Sequence, residues 1–296
     1  MSSSTQRSKG GRWAVLLLTA PFFVLFAAVV IAPLGYALWL SLFSDQSSGL
    51  GFGGTESVFS GLGNYLTTLS DQAFRDGFAI VALYAALYIP LMLGGALALA
   101  LLLDSGIAIL RRFFQLALFM PHVVPGVIAG LIWLYLYLPG ISPIVSALRD
   151  GGIEWDFLGD HVLGSVVNVA VWEWIGYNMI IFFAALQAIP REVLEAATMD
   201  GAGPIRVALH VKLPLIRGAV ITALLFTVIG SLQLFNEPMV MDGVSNGIVS
   251  TWTPNMYSYA EAFGKNDIGQ AAAASILLAV LAAVLSYFVT KWGNKK

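Results

Sequence analysis

Residues 190–217 read PREVLEAATMDGAGPIRVALHVKLPLIR and separate two long apolar runs. The pattern predicts a short helix, a glycine break and a second helix. Gly201 and Gly203 let the backbone turn, and Pro204 suits the first position of the next helix, where a proline loses no helical hydrogen bond. We therefore expect two short helices joined by a tight turn between two membrane spans, and we call residues 190–217 the coupling loop.

The first short helix has the composition of a docking element. Ala196 and Ala197 lack bulk, so a helix that carries them can lie close to another protein, while Arg191 and Glu195 offer charges to that partner. Asp200 directly precedes the glycine break. The alternative is an amphipathic hairpin on the membrane surface, which would need bulky apolar residues where this loop has alanine and glycine. The composition favours docking.

The whole chain is far more apolar than soluble domains are. Hydrophobic residues make up 58% of its 296 residues and charged residues 11%. A spanning helix needs about 20 mostly apolar residues, and six runs meet this need, at residues 13–42, 78–103, 113–138, 162–188, 218–235 and 271–290. The sequence predicts an all-α integral membrane protein with a tail at residues 1–12, six transmembrane helices within 13–290, and a tail at 291–296.

Basic residues give the orientation, because cytoplasmic segments concentrate lysine and arginine near the membrane. If both termini are cytoplasmic, the inner segments hold every one of the fifteen basic residues except Arg75, Arg149 and Lys265. The coupling loop then faces the cytoplasm. The polar outer loops, at residues 44–76, 139–161 and 237–269, are too short for a soluble domain.

Prolines and glycines are expected to interrupt several spans. Broken helices occur in membrane proteins where neighbouring groups or a water-lined cavity satisfy the freed backbone, so they indicate a transport pathway. The alternative is that these residues are simply frequent in membrane helices, and for Pro33 or Pro90 taken singly this alternative is favoured. The positions concerned are Pro33, Pro90, Pro121, Pro125, Gly126, Gly130, Gly176 and Gly230.

The fourth run carries polar and aromatic side chains at the depth of the bilayer centre. Trp174, Tyr177 and Asn178 stand at i, i+3 and i+4 and share a helix face, with Trp172 and Glu173 just before them. A rise of about 1.5 Å per residue puts Glu173 about 16 Å into a core about 30 Å thick. A carboxylate there costs at least about 2.5 kcal/mol unless it faces a cavity or a partner helix. These residues are candidate contacts for a sugar, which has polar edges and apolar faces.

The end of the fifth run supplies a second candidate group. Gln233 and Asn236 lie three residues apart, with Ser231 and Phe235 beside them. They suit contact with a hydroxyl-rich ligand. The alternative is that Gln233, Asn236 and Ser231 bind neighbouring helices, because polar side chains often join helices in membranes, and for Ser231 this alternative is favoured.

The chain lacks the residues of metal, redox and nucleotide chemistry. It has no cysteine, which excludes disulfides and thiolate metal sites. His122, His161 and His210 lack metal-ligand spacing and are predicted to be ordinary polar residues. The phosphate-cradling pattern GxxxxGKS/T is also missing. We expect neither metal nor cofactor on this chain, so ATP-driven work would need another subunit.

Several segments resemble one family of transporters. The order Glu195-Ala196-Ala197, Asp200-Gly201 and Leu213-Pro214 resembles the EAA loop of ABC importer permeases. The full length resembles the binding-protein-dependent sugar permeases, which include maltose, glycerol-phosphate and multiple-sugar importers. The likeness is carried by FMPHVVPGVIAGLIW (119–133), VWEWIGYNMIIFFAALQAIP (171–190), SLQLFNEPMVMDG (231–243) and AFGKNDIGQAAAASILL (262–278). It implies the type I importer permease (MetI-like) fold with a cytoplasmic coupling helix, and a substrate-contacting stretch around Gln233.

The resemblance also implies partners in a bacterial plasma membrane. These are a second, related permease subunit, two subunits that bind ATP and Mg, an extracytoplasmic solute-binding protein and the lipid bilayer; no nucleic acid is expected. The residues expected to couple to the ATPase are Arg191, Glu195, Ala196, Ala197, Asp200, Gly201 and Pro204.

These observations lead to one main hypothesis and two alternatives. The main one is the permease of an ATP-driven importer for a disaccharide or oligosaccharide. One alternative changes the cargo to a polyol, glycerol phosphate or peptide; a phosphate should bring arginine or lysine into the spans, yet none of the six runs contains either. The other is a membrane-embedded enzyme with Glu173 and His122 as acid and base.

Overall fold

The computed structural model describes residues 9–47, 55–105 and 110–293. Of the predicted tails, residues 1–8 and 294–296 lie outside the described residues. Residues 9–12 and 291–293 belong to the terminal helices. The first elements are α1 (Lys9–Phe26), a π-helical turn (Ala27–Ile31), α2 (Ala32–Leu40), β1 (Phe43–Ser47), β2 (Thr55–Phe59), α3 (Gly63–Ser70) and α4 (Gln72–Asp104).

The middle and the end of the chain are also helical. Next come α5 (Arg111–Phe119), a 3₁₀ turn (Met120–Val123), α6 (Gly126–Tyr137), α7 (Pro143–Asp150) and α8 (Val162–Gln187). The coupling loop forms α9 (Arg191–Met199), α10 (Pro204–Val207), a π-helical turn (Ala208–Lys212) and α11 (Leu213–Leu215). The last elements are α12 (Arg217–Leu232), α13 (Asn236–Met241), α14 (Pro254–Tyr259), a π-helical turn (Ala260–Gly264) and α15 (Ile268–Gly293).

Five helical segments in the described part are long and apolar enough to cross a membrane, and a bent helix pair would make a sixth span. The five are Val15–Leu40, α4, α8, Arg217–Met241 and α15. The sixth consists of α5 with its 3₁₀ turn and α6, which meet at 98°. Each predicted run therefore corresponds to one span, and the third run is broken.

The bend in the third span lies between Pro121 and Gly126, where interruptions are predicted. Val124 adopts an extended backbone at φ −73° and ψ 128°. A residue before proline is disfavoured in the helical region because it would clash with the proline ring, and Pro125 follows it. The sequence therefore ends one helix here and starts another.

Three of the predicted interruptions are wrong, because Gly130, Gly176 and Gly230 lie within the unbroken helices α6, α8 and α12. α4 also runs unbroken through Pro90, for which the alternative is favoured. Gly176 serves packing instead, because a Cβ atom at this position would lie 1.7 Å from the carbonyl oxygen of Leu118. The glycine thus lets the end of α5 lie directly against α8. The fifth span breaks elsewhere, since α12 ends at Leu232 and α13 begins at Asn236.

The loop between the first two spans contains two short strands. β1 and β2 form an antiparallel hairpin in which Phe43 lies opposite Phe59. The amide nitrogen of Asn64 in α3 donates to the carbonyl oxygens of Ser41 and Phe43, at 2.9 and 2.7 Å. This hairpin is therefore a small surface element held to the end of α2.

α4 and α8 form the central pair of the membrane domain. The buried residues of α4 recur every three or four positions, which places them on one helix face. Small residues on that face let the helices approach closely: Ala96 and Ala100 are fully buried, and a Cβ atom at Gly95 would lie 2.8 Å from Cδ1 of Ile175 in α8. This pair holds the polar residues of both helices in fixed relation.

Polar contacts join α14, α15 and the start of α4. The Tyr257 hydroxyl of α14 donates to Oδ2 of Asp71 at 2.9 Å and accepts from Nε2 of Gln270 in α15 at 2.5 Å. Asp71 also caps α4 by accepting from the backbone N–H of Ala73 at 2.9 Å. Burial, with the hydrogen bond to Asp71, raises the pKa of Tyr257 above its ordinary value. The hydroxyl therefore stays protonated and keeps donating to Asp71 throughout the neutral range.

Candidate functional site

A cavity of about 450 Å³ lies between α4, α6, α8 and the break that follows α12. Its wall mixes aromatic rings with carboxyl, amide and hydroxyl groups. Six of the eight predicted sugar-binding residues line it, namely Glu173, Trp174, Tyr177, Asn178, Gln233 and Asn236. The helix periodicity that places Trp174, Tyr177 and Asn178 on one face thus brings them to one space.

Glu173 is the most deeply buried charged residue of this cavity. The residue is 6% exposed, and its Oε2 atom has no hydrogen-bond partner among the described residues. Glu237, half-buried at the start of α13, adds a second carboxyl group, and no lysine or arginine lines the cavity. The unpaired oxygen is available to a ligand that donates hydrogen bonds.

The bent third span supports the aromatic side of the cavity. The imidazole of His122 stacks on the Tyr177 ring with centroids 4.5 Å apart and contacts Trp174 edge-on at 4.6 Å. Trp174 and Tyr177 are themselves edge-to-face at 5.9 Å, and each is 38% exposed. His122 is therefore not the ordinary polar residue that the sequence predicts, because it orders the two rings that face the cavity.

Two tyrosines and a glutamate line the cavity without having been predicted. Tyr84 and Tyr88 of α4 stack with ring centroids 5.1 Å apart. Their i, i+4 spacing on an otherwise apolar span is a signal that the sequence offers. Glu237 is missed because the fifth apolar run ends at residue 235, so a hydropathy boundary assigns it to the outer loop.

The break after α12 exposes two of the predicted polar side chains. Gln233 and Asn236 lie on either side of it, and neither side chain forms a hydrogen bond within the described part of the chain. Within the described part of this chain, these two side chains therefore join no neighbouring helix. Ser231 does not join helices either, since its hydroxyl donates to the carbonyl oxygen of Thr227 in its own helix at 2.8 Å.

Trp172 and Phe235 lie apart from this cavity. The Trp172 ring meets Trp133 edge-on at 5.8 Å, because two residues along a helix turn a side chain by about 200° away from Trp174. Phe235 lines a more open cavity of about 720 Å³, where its ring lies 5.4 Å from that of Tyr259. Gln233 and Asn236 line both cavities, so the two spaces adjoin there.

The coupling loop has the predicted turn, and its hydrogen bonds explain why glycine is needed. Gly201 has φ +80°, a conformation that favours glycine. The N–H of Ala202 bonds the carbonyl of Ala197 at 3.1 Å, and the N–H of Gly201 bonds that of Thr198 at 3.0 Å. This pair of bonds is the Schellman motif that ends helices. Pro204 begins α10, as its sequence position predicts.

Most of the predicted coupling residues are exposed, and so are two large apolar side chains beside them. Arg191, Glu195, Ala196, Asp200, Gly201 and Pro204 are exposed and Ala197 is half-buried. Met199 is 87% exposed and Ile205 is 76% exposed, one on each side of the turn. Clustered exposed apolar side chains mark interaction surfaces. Sequence reasoning named the small and charged residues of the loop and missed these two.

The described residues contain no group of three or more histidine, aspartate or glutamate side chains that could hold a metal ion. The cavity offers hydrogen-bonding groups and aromatic faces instead. Such a set can bind and release a polar solute.

Comparisons with known proteins place this geometry in context. A family profile described as "binding-protein-dependent transport system inner membrane component" matches residues 106–295. The sn-glycerol-3-phosphate transport system permease protein UgpA of Salmonella typhi is 34% identical, over 99% of this chain and 98% of its own length. Its namesake in Yersinia pseudotuberculosis is 31% identical, over 96% and 95%.

Solved structures share the fold. A chain of a bacterial ABC transporter involved in the import of the acidic polysaccharide alginate superposes with a TM-score of 0.79 at 18% identity, over 96% of each chain. A second structure, the alginate transporter in complex with an alginate pentasaccharide-bound periplasmic protein, gives a TM-score of 0.76, also at 18% identity, over 96% and 94%. At this identity the likeness concerns the fold.

Proposed function

The chain belongs to the family of inner membrane components of binding-protein-dependent transport systems, and on that premise we propose that it carries a neutral disaccharide or oligosaccharide across the bacterial inner membrane. It is a permease of an ABC importer for sugar-type cargo, a transport subunit and not an enzyme. The observation that carries the choice of cargo is the cavity around Glu173, which has two carboxyl groups and no basic side chain.

The chemistry of this cavity suits a neutral sugar. Carboxyl and amide oxygens accept hydrogen bonds from hydroxyl groups, and aromatic rings pack on the apolar faces of a pyranose. Glu173, Asn178, Gln233 and Asn236 supply the polar contacts in this proposal, and Trp174 and Tyr177 supply the rings. Trp172 and Phe235, also predicted as contacts, act from outside this cavity: Trp172 through Trp133 and Phe235 from the adjoining space.

Glycerol phosphate is the second candidate, because the relatives named above carry that substrate in their names. Phosphate sites rely on arginine or lysine, and this cavity offers two carboxyl groups and neither of those cations. The polar groups that line this cavity therefore favour the neutral cargo over the anionic one.

The energy for transport comes, in this proposal, from two partner subunits that bind ATP and Mg. The coupling loop lies in the cytoplasm, as do both termini, and its α9 docks on the ATPase through Arg191, Glu195, Ala196 and Ala197. Asp200, Gly201 and Pro204 shape the turn that presents Met199 and Ile205. The exposure of Met199 and Ile205 supports a docking role for this turn. ATP binding closes the motor subunits, α9 moves with them, and hydrolysis resets the permease.

Two further partners complete the assembly that we propose. A second, related permease subunit faces this chain within the bilayer, because the more open cavity needs another wall before it can enclose a solute. An extracytoplasmic binding protein delivers the sugar to the outer face. The solved alginate transporter bound to its periplasmic protein supports this arrangement by analogy of fold.

The cargo is tested by copurifying the chain with its binding protein. Thermal unfolding of that binding protein is followed with a panel of neutral disaccharides and oligosaccharides and with sn-glycerol-3-phosphate. We expect one neutral sugar to stabilise it and to be taken up by proteoliposomes that hold the complex and ATP. Stabilisation and uptake of glycerol phosphate alone would reject the neutral cargo while leaving the permease role intact.

A further inference from the structure

A cluster of three polar side chains joins the coupling loop to the inner ends of two spans. Asp104 is the last residue of α4, Gln187 is the last residue of α8, and Lys212 lies in the second half of the coupling loop. Nζ of Lys212 lies 2.5 Å from Oδ2 of Asp104, and Nε2 of Gln187 donates to Oδ1 of the same carboxylate at 2.5 Å. The Asp104 carboxylate thus uses both oxygens to hold two other segments.

The ion pair of this cluster is largely shielded from water, whereas Gln187 is exposed. The side chain of Asp104 is 7% exposed and that of Lys212 is 16% exposed. Shielded charges attract each other more strongly than charges in water, and removing one partner leaves the other unpaired in a low-dielectric place. The ion pair is therefore a firm attachment, unlike an exposed surface pair.

The ion pair attaches the coupling loop to α4, a helix that does not adjoin this loop along the chain. α8 is joined to α9 by only three residues, so the chain itself links these two. α4 has no such covalent link to the coupling loop. Two ion pairs occur among the described residues, and Asp104–Lys212 is the one that joins this loop to a span; the other, Glu261–Lys265, lies within one segment near the outer face.

Both helices held by Asp104 also form the wall of the cavity. α4 carries Tyr84 and Tyr88, and α8 carries Glu173 and Trp174. At about 1.5 Å per residue, Asp104 lies about 24 Å along α4 from Tyr88, and Gln187 lies about 21 Å along α8 from Glu173. A displacement of Lys212 acts on the inner ends of both helices, and rigid helices carry it to the cavity.

We propose that Asp104 is a positioning residue, the joint through which movement of the coupling loop reaches the cavity wall formed by α4 and α8. The joint rests on the proposed function, in which that loop moves with an ATPase. A purely structural ion pair would add stability. A joint also determines how strongly the cavity responds to nucleotide.

The test needs no knowledge of the sugar. The chain has no native cysteine, so Gln233→Cys, at an exposed position in the cavity, places one thiol there. The complex is copurified with its ATPase, and the rate at which a membrane-impermeant maleimide labels the thiol is measured with and without a non-hydrolysable ATP analogue. Into this background we introduce Asp104→Asn, Lys212→Met and the reversed pair Asp104→Lys with Lys212→Asp. Lys265→Met, which breaks the other ion pair, is the matched control.

In the parent and in the control we expect nucleotide to change the labelling rate by about tenfold. In the two single variants the change should shrink towards none while the complex still hydrolyses ATP, and the reversed pair should regain most of it. An undiminished response in both single variants would overturn the joint. Loss of the assembled complex in every variant, the reversed pair included, would show a structural role only. If the parent itself does not respond, coupling through the loop is wrong and the joint falls with it, whereas the identity of the cargo is unaffected.

Discussion

Glu173 brings a hydrogen-bond acceptor into a membrane-spanning helix, and no other described side chain pairs with its Oε2 atom. Its unpartnered Oε2 atom would remain costly unless something donates to it. In the proposed function that donor is a sugar hydroxyl, so Glu173 contributes more to binding than to folding.

Replacing Glu173 with glutamine keeps the size and puts an N–H group in place of one carboxyl oxygen. A buried polar group left without a hydrogen-bond partner costs about 1–3 kcal/mol, so we expect the sugar concentration for half-maximal uptake to rise about tenfold. Uptake by proteoliposomes measures it. Ser231→Ala is the control, because that hydroxyl is satisfied within its own helix. Unchanged half-saturation in Glu173→Gln would remove this residue from the binding site.

Gly176 matters for packing, and the same helix offers a control. A Cβ atom at Gly176 would lie 1.7 Å from the backbone of α5, whereas one at Gly164 meets nothing within 4 Å. We expect Gly176→Ala to destabilise the protein by about 2 kcal/mol or more and Gly164→Ala to leave it unchanged. Thermal unfolding in detergent compares the two variants, and equal midpoints would contradict the close contact.

For single residues, the sequence predicts the placements that follow from helix periodicity. Trp174, Tyr177 and Asn178 follow from their spacing alone. His122 could not be placed, because its contact with Tyr177 depends on the 98° bend of the third span. Trp172 shares the aromatic chemistry of its neighbours, but the helix turns it towards Trp133. Residue type suggests a binding role, and only the fold decides which cavity a residue lines.

Among the elements, the coupling loop carries the sharpest structural requirement. Gly201 has φ +80°, and Gly203 has φ −70° with open space around it. A left-handed conformation costs a residue with a Cβ atom about 1–2 kcal/mol, so Gly201→Ala should disturb the turn and Gly203→Ala should not.

We expect Gly201→Ala to lower sugar uptake per ATP hydrolysed about fivefold or more, as loss of coupling between two sites does. Gly203→Ala should keep the parental ratio. Uptake and phosphate release are measured on the same proteoliposomes. Equal ratios for the two variants would mean that the turn geometry does not transmit force.

The helices themselves were largely predictable, and their breaks were partly so. Pro121 and Pro125 mark the bend of the third span because both the missing N–H and the ring oppose helix there. Pro90 lies within an unbroken α4, since a membrane helix can accommodate proline when its neighbours satisfy the backbone. No proline lies within residues 230–236, so the sequence does not mark the break after Leu232. The fifth apolar run happens to end close to that break.

For the whole molecule, the distribution of basic residues predicts one orientation. Thr198 in α9 and Asp160 before α8 are both exposed in the fold, and the orientation puts them on opposite sides of the membrane. Thr198→Cys should be labelled by an impermeant maleimide only after the inner membrane is opened, and Asp160→Cys in intact spheroplasts. The reverse pattern would invert the topology and exclude a cytoplasmic ATPase contact.

The central claim is that the coupling loop docks on a separate ATP-hydrolysing subunit. Met199 is the position that tests this claim, because its side chain is 87% exposed beside the Gly201 turn. A photo-crosslinking amino acid is placed at residue 199, the cells are irradiated, and the joined chains are identified by mass spectrometry. Ile153, which is also exposed and lies in a loop predicted to be outside, is the comparison position. The account predicts that residue 199 crosslinks to an ATP-binding subunit and residue 153 does not. Crosslinks from residue 199 only to lipid or to the extracytoplasmic binding protein would contradict it.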